Sequence, residues 1–329
     1  MVRKIITTLT LAAVALVMAS CGGKVEYADT VNGVYHWKSS FWFKEDEQAF
    51  MSENKIGKMY LHFFDVDKYD YEETDEKFGP KSTLDINNDL PDSVEIVPTI
   101  FITPSAIKNY REYYKLLARR IYAMCDYNDI HPKEIQFDCD WSTSTRDSFY
   151  CFLKTIRGEL GNYFPKIRLS STIRLHQLSQ TQPPVDEGVL MCYNTGDFKD
   201  FDTKNSILDI KDIKPYMKYL KKYDLPLSLA LPIYEWDVEF DTNRNFIELD
   251  NYCYISENYS KIDSNLFLYH YEFGPTVYVR HEHVAAATLL EAKDMVQQAY
   301  GKKMNIILYH LDERHLKKYT KNEIEEIYR

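Results

Sequence analysis

Eight short apolar runs, each set apart from the next by a polar or amphipathic stretch, constrain this chain more than any other feature. They occupy residues 34–43, 58–64, 96–102, 134–141, 167–173, 188–193, 227–234 and 305–310. Strands covered on both faces read this way, because neither face meets water. Between several of the runs lie segments of helical period. Residues 105–124 space Ile107, Tyr110, Tyr114, Leu117 and Ile121 as one helix face, and 145–160 do the same with Phe149, Phe152, Leu153 and Ile156. Residues 212–223 and 285–300 repeat the pattern. Strand and helix alternating eight times predict an α/β fold, a single (β/α)8 TIM barrel over residues 34–329. Two stretches exceed an ordinary connection. Residues 65–91 are long and acidic and are expected to carry extra loop structure. Residues 236–283 form an enlarged loop insertion after strand seven, with a hairpin expected across Gly274-Pro275.

The composition agrees with an ordinary folded globular body. Of 329 residues, 45% are hydrophobic and 27% charged, which excludes a disordered chain. The formal net charge is −10 and no basic run appears in the body, so a nucleic-acid partner is not expected. The first twenty residues differ in kind. Arg3 and Lys4 precede an apolar stretch from Ile5 to Met18, then Ala19, Ser20 and Cys21. This reads as a secretory signal over residues 1–20, shorter than the roughly 20 apolar residues of a comfortable membrane span.

The stretch Val17-Met18-Ala19-Ser20-Cys21 resembles a bacterial lipobox, with Met18 where Leu is usual. That resemblance implies cleavage before Cys21 and acylation of its thiol, as with palmitate. Residues 21–33 then form a lipidated tether to a lipid bilayer. The body is expected in the cell envelope, with the outer membrane favoured, and its oligomeric state is left open. Five cysteines remain after Cys21: Cys125, Cys139, Cys151, Cys192 and Cys253. An odd number cannot all pair within one chain, no CxxC spacing occurs, and buried free thiols are the expectation. His281-Glu282-His283 is too weak a pattern for a metal, and neither metal nor cofactor is expected.

Active sites of such barrels lie at the C-terminal ends of the strands. The fourth run, Ile135-Gln136-Phe137-Asp138-Cys139-Asp140-Trp141-Ser142, alternates polar and apolar. A strand would place Gln136, Asp138, Asp140 and Ser142 on one face, toward the interior. Two carboxylates there are costly to bury, which marks Asp140 as a site residue and Asp138 as its partner or support.

This stretch resembles the strand-four signature of the family 18 glycoside hydrolases, the chitinase family, whose pattern is DxxDxDxE. Asp138 and Asp140 match its second and third Asp, Ile135 stands at the first, and Ser142 replaces the Glu that is the family's general acid. Met191-Cys192-Tyr193-Asn194 resembles the family's Met-x-Tyr-Asp, with Asn194 for Asp, and Pro232-Ile233-Tyr234 its Pro-x-Tyr. Asp138 and Asp140 followed by Thr145-Arg146, Tyr150, Phe152-Leu153 and Arg157 are also similar to an uncharacterised bacterial family of glycosidase-like barrels.

The resemblance implies a glycan or oligosaccharide ligand and, in the family's mechanism, an Asp that orients the sugar's own acetamido group as nucleophile. Ser142 cannot supply the proton. Glu235, just after the seventh run, is the replacement acid to look for, and with Asp140 it would make the two-carboxylate pair of most glycosidases. Asp312 and Glu313 read instead as a helix cap and first-turn charge. Trp37, Trp141, Tyr193, Tyr234 and Trp236 are expected to line the sugar site, with Arg174 and Asn194 as polar contacts. The expected function is thus an envelope-anchored, glycoside-hydrolase-like barrel that acts on or binds a glycan. The alternative is a non-catalytic carbohydrate-binding or envelope-assembly lipoprotein.

Overall fold

The computed structural model describes residues 30–69, 77–251, 259–272 and 274–329. Each of the eight apolar runs supplies one strand of a parallel ring. These are β1 (Asn32–His36), β2 (Ile56–Lys68), β3 (Glu95–Ile102), β4 (Glu134–Asp138), β5 (Arg168–Arg174), β6 (Glu187–Met191), β7 (Leu227–Pro232) and β8 (Ile306–Tyr309). Neighbours in sequence are neighbours in space. The ring closes because β1 pairs on one side with β8 (Gly33↔Ile307) and on the other with β2 (Val34↔Met59). The architecture is a (β/α)8 barrel.

Helices cover the outside. They are α1 (Glu45–Glu53) after β1, α2 (Tyr114–Tyr127) after β3, α3 (Arg146–Leu160) after β4, α4 (Ala286–Tyr300) ahead of β8 and α5 (Lys321–Tyr328) after it. The periodic positions of α3, Phe149, Phe152, Leu153 and Ile156, are all fully buried, and the Phe152 ring meets Phe137 of β4 edge-on at 5.1 Å. After β5 and β6 only short helical turns occur. After β2 the chain returns as an antiparallel strand, Phe78–Lys81, in the long acidic stretch. No helix among the described residues is long and apolar enough to cross a membrane.

Side chains alternate in β4 as its pattern requires. Ile135 and Phe137 face the helices. Glu134, Gln136 and Asp138 face inward, stacked from the N-terminal end of the ring to its C-terminal mouth. Gln136 accepts from the Tyr35 hydroxyl at 2.7 Å and donates to Ser170 Oγ at 3.3 Å. At the N-terminal end the fully buried Glu134 binds Lys58 at 2.9 Å and Arg168 at 2.7 Å, and Arg168 also reaches Glu187 at 3.1 Å. A buried carboxylate held by two cations plugs that end of the ring. Gly188 opens β6 where space is short: a Cβ there would lie 2.8 Å from Leu227 and 3.0 Å from Ile173.

The insertion after β7 is a five-stranded antiparallel sheet. Its strands are Trp236–Phe240, Phe246–Asp250, Tyr259–Lys261, Leu266–His270 and Thr276–Glu282, the last two forming the expected hairpin. Glu282, fully buried, fastens it to the loop after β6. It accepts from the Ser206 amide at 2.7 Å, the Ser206 hydroxyl at 2.6 Å, the Trp236 indole at 2.9 Å and Arg280 at 2.6 Å. Arg280 in turn donates to the carbonyls of Phe198, Asp200 and Phe201. Cys125, Cys139 and Cys192 are buried thiols and Cys151 an exposed one. Cys21, the signal and tether, and Cys253 lie outside the described residues.

Candidate functional site

Where β3 to β6 end, four side chains converge on a cavity of about 190 Å3 at the C-terminal mouth: Asp138, Asp140, Arg174 and Tyr193. Strand register sets their heights. Phe101 of β3 pairs with Asp138, and Arg174 of β5 pairs with Met191 of β6. The pairing Gln136↔Ser170 brings Asp138 level with Thr172, whose hydroxyl donates to it at 2.5 Å.

Arg174 spans both carboxylates. Its Nε donates to Asp140 Oδ1 at 2.5 Å and its Nη2 to Asp138 Oδ1 at 3.4 Å, while Nη1 meets the Met191 sulfur. Asp138 is 2% exposed, and its neighbour's side chain is half in solvent at 52%. Burial raises the Asp138 pKa, Arg174 opposes that, and the Asp140 charge adds to it. For Arg174, burial works against the charge, but Asp138 and Asp140 outweigh it and hold the guanidinium above its ordinary value.

Aromatic rings wall the cavity. Trp37 follows β1 and stacks on His62 at 4.6 Å, and His62 is held by Asp65 at 2.8 Å. Tyr193 stacks on Tyr309, the last residue of β8, at 4.8 Å. Burial raises the pKa of both phenols, so both stay O–H groups at neutral pH. The Tyr193 hydroxyl is buried with no partner within the described residues. Asn194 closes one side in the left-handed region (φ 52°), which Asn tolerates better than most residues, and accepts from the Tyr234 hydroxyl at 2.5 Å.

Six of the residues singled out in the sequence therefore meet here: Asp138, Asp140, Arg174, Trp37, Tyr193 and Asn194. Tyr234 stands one layer back, behind Asn194. Three others are elsewhere. Trp141 is 1% exposed and packs edge-on against Tyr150 of α3, so its indole is core. Trp236 lies in the insertion, tied to Glu282. Glu235 does not line the cavity. It pairs with Lys318 and lies 3.6 Å from His281, which is oriented by Asp237 at 2.7 Å. The strand β4 ends at Asp138, and Ser142 leaves the inward face for the connection that leads into α3, where its hydroxyl meets Ser144 at 2.8 Å and its amide binds the Thr145 hydroxyl.

Phe101, Met191 and Tyr309 also line the cavity. All lie at or next to the ends of ring strands; Met191 fell within the Met-x-Tyr-Asp resemblance, whereas no polar signal marked Phe101 and Tyr309, for which inward parity near the end of a strand was the available cue. Asp312 caps the turn Glu313–Leu316, accepting from the Arg314 amide at 2.9 Å. A wider groove of about 840 Å3 lies at the opposite, N-terminal end of the ring, along the loops before β3 and β4. It holds none of the residues described above.

Fold and site together define a closed (β/α)8 barrel with a paired-aspartate cavity at its mouth. No protein-family model matches the chain, and no curated protein is similar to it. Solved structures are. The GH18 chitinase ChiB from the chitin utilization locus of Flavobacterium johnsoniae aligns over 91% of this chain and 94% of its own at 13% identity, with a TM-score of 0.55. The spore cortex-lytic enzyme SleL of Bacillus cereus aligns over 92% of this chain and 75% of its own at 14% identity, TM-score 0.52. The GH18 chitinase of Cycas revoluta in complex with (GlcNAc)3 aligns over 91% and 98% at 11% identity, TM-score 0.52. These likenesses are of fold.

Proposed function

We propose that this protein is a lipid-anchored barrel of the bacterial cell envelope that binds a glycan at the Asp138–Asp140 mouth and holds it without cutting it. The observation that carries this reading is the Arg174 bridge. The two carboxylates that line the cavity both engage one guanidinium, and neither faces a second acid across the cleft. Most glycosidases need a carboxylic acid on the leaving oxygen and a second carboxylate opposite it, and the substrate-assisted mechanism of the resembled family dispenses with the second carboxylate but not with the acid. Ser142 stands where the family resemblance puts that acid, and Glu235 is engaged by Lys318 outside the cavity. What the mouth does offer suits a sugar: Trp37 and Tyr309 line it with aromatic rings, while Asp140 and Asn194 line it with polar groups. The chitinase and cortex-lytic enzymes that share the fold make amino-sugar polymers the ligands to try first.

Calorimetry with chitooligosaccharides and with muramic-acid-containing fragments tests the reading. Binding is expected for the native chain and about tenfold weaker for Trp37→Ala, the loss of one stacking face. A hydrolytic reading rests on one observation, the two carboxylates Asp138 and Asp140 that line the cavity together. Release of reducing ends by the native protein, abolished in Asp140→Asn, would establish hydrolysis and overturn binding alone.

A further inference from the structure

The N-terminal face of the ring, opposite the cavity, carries charge of two signs on its two halves. Where the chain enters the barrel, the Val31 amide donates to Asn305 Oδ1 at 2.9 Å, so the tether joins the body beside the start of β8. Two connections end next to it. The turn Gly301–Asn305 follows α4, released by Gly301 in the left-handed region (φ 72°), and exposes Lys302 and Lys303. The turn Lys221–Leu225 precedes β7 and exposes Lys221 and Lys222. The two turns touch, because the Tyr300 hydroxyl donates to the Leu225 carbonyl at 3.0 Å. Within these two turns four exposed lysines face one exposed acid, Asp224. Across the same face, beneath β3 and β4, the exposed Asp89, Asp92 and Asp129 line the wide groove together with one exposed cation, Lys133, so that half is acidic on balance.

The geometry points to the lysine half of this face as the surface that lies on anionic lipid headgroups, with the acidic half tilted away and the glycan cavity turned outward from the membrane. This rests on the reading of Cys21 as the acylated residue. Roughly ten residues separate Cys21 from Val31, a reach of at most about 35 Å, so the anchored body stays close to the bilayer. At that range a body with a net charge of −12, once Arg3 and Lys4 leave with residues 1–20, is repelled by an anionic surface from every side except one that is locally basic. The entry point of the chain at Val31 and the lysines share that side. Each lysine near an anionic surface is worth about a fivefold change in partitioning.

The test uses the full, naturally processed protein on vesicles of phosphatidylcholine alone or with about 30% phosphatidylglycerol. A membrane-impermeant lysine-acylating reagent followed by mass spectrometry reports which side chains are covered. Lys221, Lys222, Lys302 and Lys303 should become at least about fivefold less reactive on the phosphatidylglycerol vesicles, and regain reactivity at ~0.5 M salt. Lys44 and Lys199, on loops at the cavity end, should stay reactive throughout. Protection that is absent, equal on both lipids, or shared by Lys44 and Lys199 overturns the proposed orientation. Flotation with phosphatidylcholine vesicles and the mass of the Cys21 peptide test the anchor separately. Should Cys21 prove unmodified, flotation on phosphatidylglycerol vesicles alone with the four lysines protected still supports the surface.

Discussion

Arg174 reaches Asp140 with one guanidinium nitrogen and Asp138 with another, so its removal leaves a buried carboxylate without its cation. Arg174→Met is therefore expected to cost about 3 kcal/mol in urea unfolding, the order for breaking a buried pair from one side. Adding Asp138→Asn to that variant should recover part of the loss, because the neutral amide no longer needs a counter-charge. Two histidines behind the mouth report on acid. Burial lowers the pKa of His36 and of His310 to about 3, while both titrate near 6.5 in the unfolded chain. The unfolded state thus takes up protons first as pH falls. The stability due to their neutral forms is complete above pH 6.5 and is lost progressively toward pH 3, by up to about 1.4 kcal/mol per unit for each histidine. Urea midpoints measured from pH 7 to pH 4 should fall, and His36→Leu should flatten that slope.

Glu282 does for the insertion what Arg174 does for the mouth. Four donors meet on one fully buried carboxylate, two of them from Ser206 in the loop after β6. Glu282→Ala should cost about 3 kcal/mol and leave Arg280 without its carboxylate, held by backbone carbonyls alone. Hydrogen exchange should show residues 196–208 and the strand Thr276–Glu282 losing protection while the ring strands keep theirs. The elements themselves were largely legible in the sequence. Alternation in β4 identified Gln136 and Asp138 as inward-facing, because a strand buried on both sides still sorts polar from apolar by parity. The same parity carried on to Ser142 goes astray, because the strand ends at Asp138 and the chain turns into α3. Glu235 shows a similar limit. Its place just past β7 was evident, but which way it points depends on Lys318 and His281, residues distant in sequence.

The ring as a whole was legible because its strands are buried on both faces and so read as short apolar runs, and each run kept its own strand. The insertion's hairpin was visible for the same reason. Its full five-stranded sheet was not, since Phe246–Asp250 and Tyr259–Lys261 are half-exposed and lack an apolar signature. The cavity was legible in its polar members and not in Phe101 or Tyr309, whose contribution is surface rather than chemistry. One property belongs to the barrel and to none of its parts. Lys58, Glu134 and Arg168 stopper the end of the ring remote from the cavity. Between that end and the mouth the interior is filled with side chains, so on the proposed reading a glycan would reach the cavity from the mouth side alone and would not pass through the ring.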